Sequence, residues 1–224
     1  MRCLYCHGRA DVEMNLLTLF AVPRSLCGEC EIKIREWRRG KRCGRCHRLM
    51  DDREAECRDC LFISSRFRPV GKIMCMLDYN EEVKMLMHRY KFVRDVALAE
   101  VLSYFITFRQ TEYDHVVPIP VSEQRFQRRG FNQVTEVLDR AGVVHSDMLE
   151  TEKIKHQSEL SKLERMNSSN PFTFNRAYED VRLQGTRILV VDDIYTTGIT
   201  VHHAAEVLLH HETEVVDVLT FSKA

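Results

Sequence analysis

The chain has no run of 18 apolar residues, the length a membrane-spanning helix needs, and this excludes a helical transmembrane anchor. Its opening, Met1-Arg-Cys-Leu-Tyr-Cys6, lacks the apolar stretch of a secretory signal, so a cytoplasmic location is expected. It has no net charge, because 33 Lys and Arg balance 33 Asp and Glu. It has a single tryptophan and no low-complexity tract. It also lacks the Gly-Lys of a Walker A loop, which argues against a nucleoside triphosphatase. What is there is an ordinary globular composition. The 224 residues are 44% hydrophobic, enough for one or two domains with a real core.

The zero net charge hides an asymmetry. Residues 1–68 hold 15 basic and 10 acidic side chains, and the remainder holds 18 and 23. Two units with different partners are expected. Eight of the nine cysteines form four CxxC pairs: Cys3/Cys6, Cys27/Cys30, Cys43/Cys46 and Cys57/Cys60. Each pair places two thiolates on one side of a tight turn, as a tetrahedral Zn²⁺ requires. Four pairs make two complete sites, whereas a redox dithiol needs only one pair. Disulfides are disfavoured where nothing indicates secretion. Four thiolates leave no open coordination position, so both zinc ions are expected to be structural. Sequential pairing closes the shorter loops; crossed pairing of Cys3/Cys6 with Cys43/Cys46 stays open. Cys75, the ninth cysteine, reads as a buried thiol.

Between the cysteines lies a basic cluster: Lys33, Arg35, Arg38, Arg39, Lys41, Arg42, Arg45 and Arg48, with Glu36 the only acid and Trp37 inside it. Basic side chains around an aromatic ring fit a single-stranded nucleic-acid surface. A solvated helix face with Trp37 packed on the core fits equally well.

From about Arg68 the pattern changes. Val70 to Tyr79 alternates as a strand does, and Val83, Leu86, Met87 and Tyr90 form one helical stripe. Arg94 to Phe108 reads as a second amphipathic helix and His115 to Pro120 as a strand. Val143 to Asp147 is a further candidate strand. Gly185 to Asp193 reads as a strand, Thr200 to His211 as a helix, and Glu214 to Phe221 as a last strand. The expectation is an α/β fold: a mostly parallel sheet over 67–224, preceded by a small double zinc ribbon over 1–66.

Three segments of this half carry chemistry. Ile188-Leu-Val-Val-Asp-Asp-Ile-Tyr-Thr-Thr-Gly-Ile-Thr200 is an apolar run, two acids, and a hydroxyl-rich turn into a helix. Asp192 and Asp193 fall at the carboxyl end of the strand, where ligands of open α/β sheets bind. Thr196, Thr197, Gly198 and Thr200 open the next helix, a setting that suits an anion. Two carboxylates suit a vicinal diol or a hydrated Mg²⁺, and a sugar with a terminal phosphate needs both features. Pro118 to Gln133 brings Arg125, Arg128 and Arg129 to the same edge, with planar donors for phosphate oxygens. Lys155 to Phe172 is polar and poorly periodic at its start, as a mobile lid or a plain surface helix would be. His202, His203, His210 and His211 read as exposed or helix-end residues.

Ile188–Thr200 resembles, at every position, the 5-phosphoribosyl-1-pyrophosphate (PRPP) motif of type I phosphoribosyltransferases. Together with the four CxxC pairs, Tyr90-Lys-Phe92, Pro118–Gln133, and Gln157, Arg165, Asn167 and Asn170-Pro-Phe172, it resembles the ComF family of bacterial late competence proteins. The resemblance is to ComFC-type members and spans almost the whole chain. The resemblance implies a type I phosphoribosyltransferase-like fold and a role in natural transformation. It further implies single-stranded DNA and a ComFA-type, DEAD-box-like helicase as partners, and PRPP or ribose 5-phosphate as ligand. By it, Asp192 and Asp193 contact the ribose diol, with Mg²⁺. Thr196, Thr197, Gly198 and Thr200 hold the 5′-phosphate, and Arg125, Arg128 and Arg129 lie near the pyrophosphate. Gln157 and Arg165 belong to a lid. Two functional classes follow: a competence factor with a PRPP pocket, or an active phosphoribosyltransferase acting on a nucleobase or nucleic-acid-derived acceptor. No side chain is an obvious general base for a nucleobase, so no catalytic residue is assigned.

Overall fold

A computed structural model of the chain describes residues 2–10, 25–151 and 170–224. Its centre is a four-stranded sheet of β1 (Ile73–Asp78), β2 (His115–Pro118), β5 (Arg187–Tyr195) and β6 (Val215–Lys223), in the order β1-β6-β5-β2. All three pairings are parallel, so the carboxyl ends of the strands share one edge. A separate antiparallel pair joins β3 (Leu149–Thr151) to β4 (Phe172–Phe174). The helices are α1 (Gly28–Arg35), α2 (Arg58–Ser64), α3 (Glu81–His88), α4 (Leu98–Ser103), α5 (Glu123–Arg129), α6 (Gln133–Arg140) and α7 (Ile199–Leu209).

Ile188 to Val191 of β5 are all fully buried, as the inner strand of a parallel sheet covered on both faces must be. They alternate between two apolar clusters. Leu189 and Val191 join the cluster of α3, α4 and α6; Ile188 and Val190 join that of α7. The termini of these helices are built from the sequence. Asn80 caps α3 by accepting from Val83 N at 2.8 Å, and Asn132 caps α6 by accepting from Val134 N at 2.9 Å. Asn80 also donates to the carbonyls of Lys33 and Glu36 at 3.0 and 2.7 Å, which ties the end of α1 to the start of α3.

The cysteine-rich half repeats one design. Arg2-Cys3-x-x-Cys6-His7 and Arg42-Cys43-x-x-Cys46-His47 form matching turns, each closed by a bridge (Arg2 with Arg9, Arg42 with Leu49). Each has its histidine in the left-handed region, at φ +62° and +60°. Each turn faces a cysteine pair at the start of a helix, α1 or α2. The first ribbon contributes Cys3, Tyr5, Leu26 and Ile34 to one cluster of the sheet, and the second contributes Cys46, Met50 and Cys57 to the other. The two apolar cores therefore run across residues 66 and 67.

Several expectations are corrected. Only α4 is helical within Arg94–Phe108 among α-helices, because Arg94 turns left-handed at φ +61° after a π-helical turn over Arg89–Val93. Val143–Asp147 is irregular. Ser146 N donates to Val116 O at 2.9 Å, covering the outer side of β2, and the strand next to it is β3. His202 is 1% exposed and His203 half-buried; both rings pack on Phe67, at 5.6 and 5.0 Å. His210 and His211 are exposed at the end of α7. The expected lid residues Gln157 and Arg165 lie outside the described residues.

Candidate functional site

Asp192 and Asp193 sit at the carboxyl end of β5, both half-buried. Asp192 Oδ1 accepts the N–H of Asp193 at 2.8 Å, and Asp193 Oδ2 lies 2.6 Å from Lys91 Nζ. Lys91 comes from the π-helical turn. The wider turn sends Tyr90 inward, where its hydroxyl donates to Gln133 O at 2.9 Å, and leaves Phe92 outside. Burial first, and then the charge of Asp193, push Asp192 up to about 7; Lys91 and Arg125 oppose the shift. One oxygen of each carboxylate has no hydrogen-bond partner among the described residues, so the pair offers two acceptors to two hydroxyls.

Arg125, Arg128 and Arg129 fall on α5, a helix with no buried residue. Arg129 is the most enclosed. Its Nη1 donates to Gln133 Oε1 at 2.6 Å, and its guanidinium stands 5.7 Å from the Phe92 ring centre. Burial holds it below the ordinary arginine range, against the pull of Asp193. Arg125 and Arg128 are exposed. From β5 the chain turns through Thr196 and Thr197 into Gly198, which caps α7 at φ +88°. A Cβ there would lie 2.2 Å from Tyr195 Oη, so the turn admits only glycine. Thr200 lies in the first turn of α7.

The cysteines gather as Cys3, Cys6, Cys27 and Cys30, and as Cys43, Cys46, Cys57 and Cys60, with the sulfurs of each group within 4.8 Å of one another. Pairing is therefore sequential. Sulfur separations are 3.8 Å for Cys6–Cys27, 3.6 Å for Cys43–Cys60 and 3.7 Å for Cys46–Cys57. A tetrahedral zinc with Zn–S of about 2.3 Å spaces its thiolates by about 3.8 Å, whereas a disulfide would bring them to about 2.05 Å. Both groups fit a zinc ion. Burial pushes the Cys46 and Cys60 thiols up, while the N–H groups of Cys46 and Arg45 draw Cys43 down to about 7; a bound zinc would hold all four as thiolates.

The basic cluster is largely engaged within the protein. Arg38 donates from its backbone N and Nε to Asp78 Oδ2, both at 2.8 Å, and from Nη2 to Oδ1 at 3.0 Å. Arg42 reaches the same Oδ2 at 2.9 Å and stacks 4.7 Å above the Trp37 ring. Arg35 pairs with Glu31 at 3.0 Å, and Lys41 donates to Glu54 O at 2.6 Å. Lys33 and Arg39 are exposed, with no ion partner among the described residues.

No family model matches the chain. Among curated proteins, it is 30% identical to the competence protein ComFC of Streptococcus pneumoniae over 99% of each chain. It is 34% identical to the competence protein ComFC of Bacillus subtilis over 92% of this chain and 88% of that one. The chain belongs to the ComFC family. Among solved structures, a hypoxanthine phosphoribosyltransferase from Staphylococcus aureus aligns at 13% identity with a TM-score of 0.31, covering 72% of this chain and 70% of that one.

In this ComFC-family chain, sequence reasoning missed three groups. Lys91 stands out in the sequence only as part of Tyr90-Lys-Phe92, and nothing local points to its pairing with Asp193. Asp78, fully buried at the end of β1, organises Arg38 and Arg42. Lys223, 1% exposed, lies opposite Tyr195 in the β5–β6 register. Each depends on contacts between segments distant in sequence.

Proposed function

We propose that this ComFC-family protein serves DNA uptake in natural transformation. In this reading it binds single-stranded DNA, docks a ComFA-type helicase, and holds PRPP or ribose 5-phosphate at the carboxyl edge of its sheet. Its two four-cysteine centres bind structural zinc. The family supports the broad role, through relatives named as competence proteins over nearly their whole length. The ligand reading is carried by one observation: two carboxylates at the end of β5, each with an oxygen unpartnered among the described residues, stand directly before a hydroxyl- and glycine-built turn into α7. That sequence of groups suits a ribose diol followed by its phosphate.

Within that pocket Asp192 and Asp193 accept the ribose hydroxyls, and Lys91 holds Asp193 in place and tempers the repulsion between the two acids. Arg125, Arg128 and Arg129 supply donors to the pyrophosphate. Asp192 and Asp193 would also serve a Mg²⁺ brought with the ligand, which would offset the charge of the pyrophosphate. The test is calorimetric titration of PRPP with Mg²⁺ into the wild type and into Asp192→Asn/Asp193→Asn. Binding to the wild type that is lost in the folded double variant supports the site. Equal affinity in both proteins rejects it. Release of pyrophosphate on adding candidate acceptors would place the protein among active phosphoribosyltransferases instead.

A further inference from the structure

The turn between β5 and α7 has two sides. On one side, the N–H groups of Thr196, Thr197 and Gly198 meet no acceptor among the described residues. On the other, its carbonyls are held. Lys223 Nζ donates to Thr196 O at 2.8 Å and to Tyr195 O at 3.2 Å, and also to Ala224 O. It lies 5.4 Å from the centre of the Tyr195 ring, the same ring that fills the space beneath Gly198. His202 Nδ1 lies 2.8 Å from Gly198 O.

The peptide bonds here are trans. In a trans peptide, the carbonyl of one residue and the N–H of the next point in opposite directions. Drawing the carbonyls of Tyr195 and Thr196 onto Lys223 therefore turns the N–H groups of Thr196 and Thr197 to the side of the turn opposite Lys223. We propose that Lys223 is a positioning residue that presents these two N–H groups to the phosphate of a phosphorylated sugar. The inference rests on the ribose-phosphate reading above and adds to it the side chain that sets the loop.

A packing role alone does not account for a lysine here. A buried ammonium is costly to desolvate, and an apolar residue would fill the end of a buried strand at lower cost. What an apolar residue lacks is several donors that can engage two successive carbonyls. Burial depresses the lysine's pKa, and the Asp59 carboxylate is among the charges that oppose the shift.

The test uses the full-length, zinc-loaded protein, ¹⁵N-labelled, with ribose 5-phosphate as probe. In the wild type, the amides of Thr196 and Thr197 should shift and become protected from hydrogen exchange when the probe binds. In Lys223→Met they should not, and affinity should fall about tenfold or more, as when oriented donors to an anion are removed. Lys223→Arg, which keeps several donors, should restore most of the affinity; a merely structural defect would show no such rescue. A folded Lys223→Met variant with wild-type affinity and wild-type amide shifts overturns the inference. If that variant does not fold, the wild type still decides. Binding that Asp192→Asn/Asp193→Asn abolishes, without protection of Thr196 and Thr197, overturns the role of Lys223 while sparing the pocket. Absence of any binding, or binding that the double variant leaves intact, rejects the pocket itself.

Discussion

Lys91 Nζ stands 2.6 Å from Asp193 Oδ2, across more than a hundred residues of sequence and at the carboxyl end of β5. Lys91 reaches this position from the π-helical turn Arg89–Val93. The turn sends Tyr90 into the core and directs the next side chain to the end of β5.

Lys91→Met should leave two carboxylates facing one another without their cation. Asp192 would then titrate still higher, and at pH 7 the affinity for Mg²⁺-PRPP should fall about tenfold or more. Affinity should recover in part at pH 8.5, as Asp192 ionises. Calorimetry at the two pH values checks this; a decrease independent of pH counts against the electrostatic account.

Asp192 is held near 7 against an ordinary value of 3.8. An acid whose folded pKa is raised destabilises the fold when ionised. The cost is absent below about pH 4 and complete above about pH 7. In magnesium-free buffer, Asp192→Asn should therefore be more stable than the wild type at pH 8, by at least about 1 kcal/mol, and no more stable at pH 4. Urea unfolding at both values checks the difference.

Burial would raise Asp78, but Arg38 and Arg42 override it and hold the carboxyl below its usual range. Arg38→Ala/Arg42→Ala should cost about 3–5 kcal/mol at pH 7, since it strands a buried charge. Asp78 adds stability above the usual carboxylate pKa, and that stability is lost as the pH falls through its lower folded value. The penalty of the double variant should therefore shrink in acid, which denaturant melts at pH 7 and pH 4 can follow.

Lys33 and Arg39 allow the proposed DNA contact to be tested apart from stability within the same basic cluster. Lys33→Ala/Arg39→Ala should leave the melting curve unchanged. If the cluster touches single-stranded DNA, the log–log salt dependence should flatten by roughly 0.7 for each phosphate no longer neutralised. An unchanged slope would assign the surface to another partner, such as the helicase.

Two zinc ions per chain are expected by elemental analysis of protein purified without added metal. Cys57→Ser should reduce the content to one. It should also lower the thermal stability of the whole protein in one transition, because Cys57 packs in the same cluster as Val117, Ile188 and Val190.

What was legible in the sequence depended on local order. Ile188–Val191 announced β5 because four apolar residues in a row have few alternatives, and the acids and glycine after it marked the turn. The CxxC pairs announced two metal centres, since spacing within a pair is local, but left their partnership open until Cys6 and Cys27 came together. β3 and β4 were not legible, because three-residue strands carry no period. The burial of His202 was hidden because Phe67, whose ring packs on it, lies in another segment. Arg38 and Arg42 looked like free surface charge for the same reason: Asp78 is 40 residues from Arg38, and only folding brings it there.

The two ribbons also impose an order of events. Their cysteines leave the ribosome well before the strand that helps to seat them. Cys3 and Ile34 share a cluster with Leu219 and Phe221, and Cys46 and Met50 share one with Val216 and Val218. A nascent chain can capture metal at both centres long before β6 exists. The ribbons must then wait, with their apolar sides uncovered, until that strand is synthesised. Both cores include residues of β6, so neither is complete until that strand has emerged.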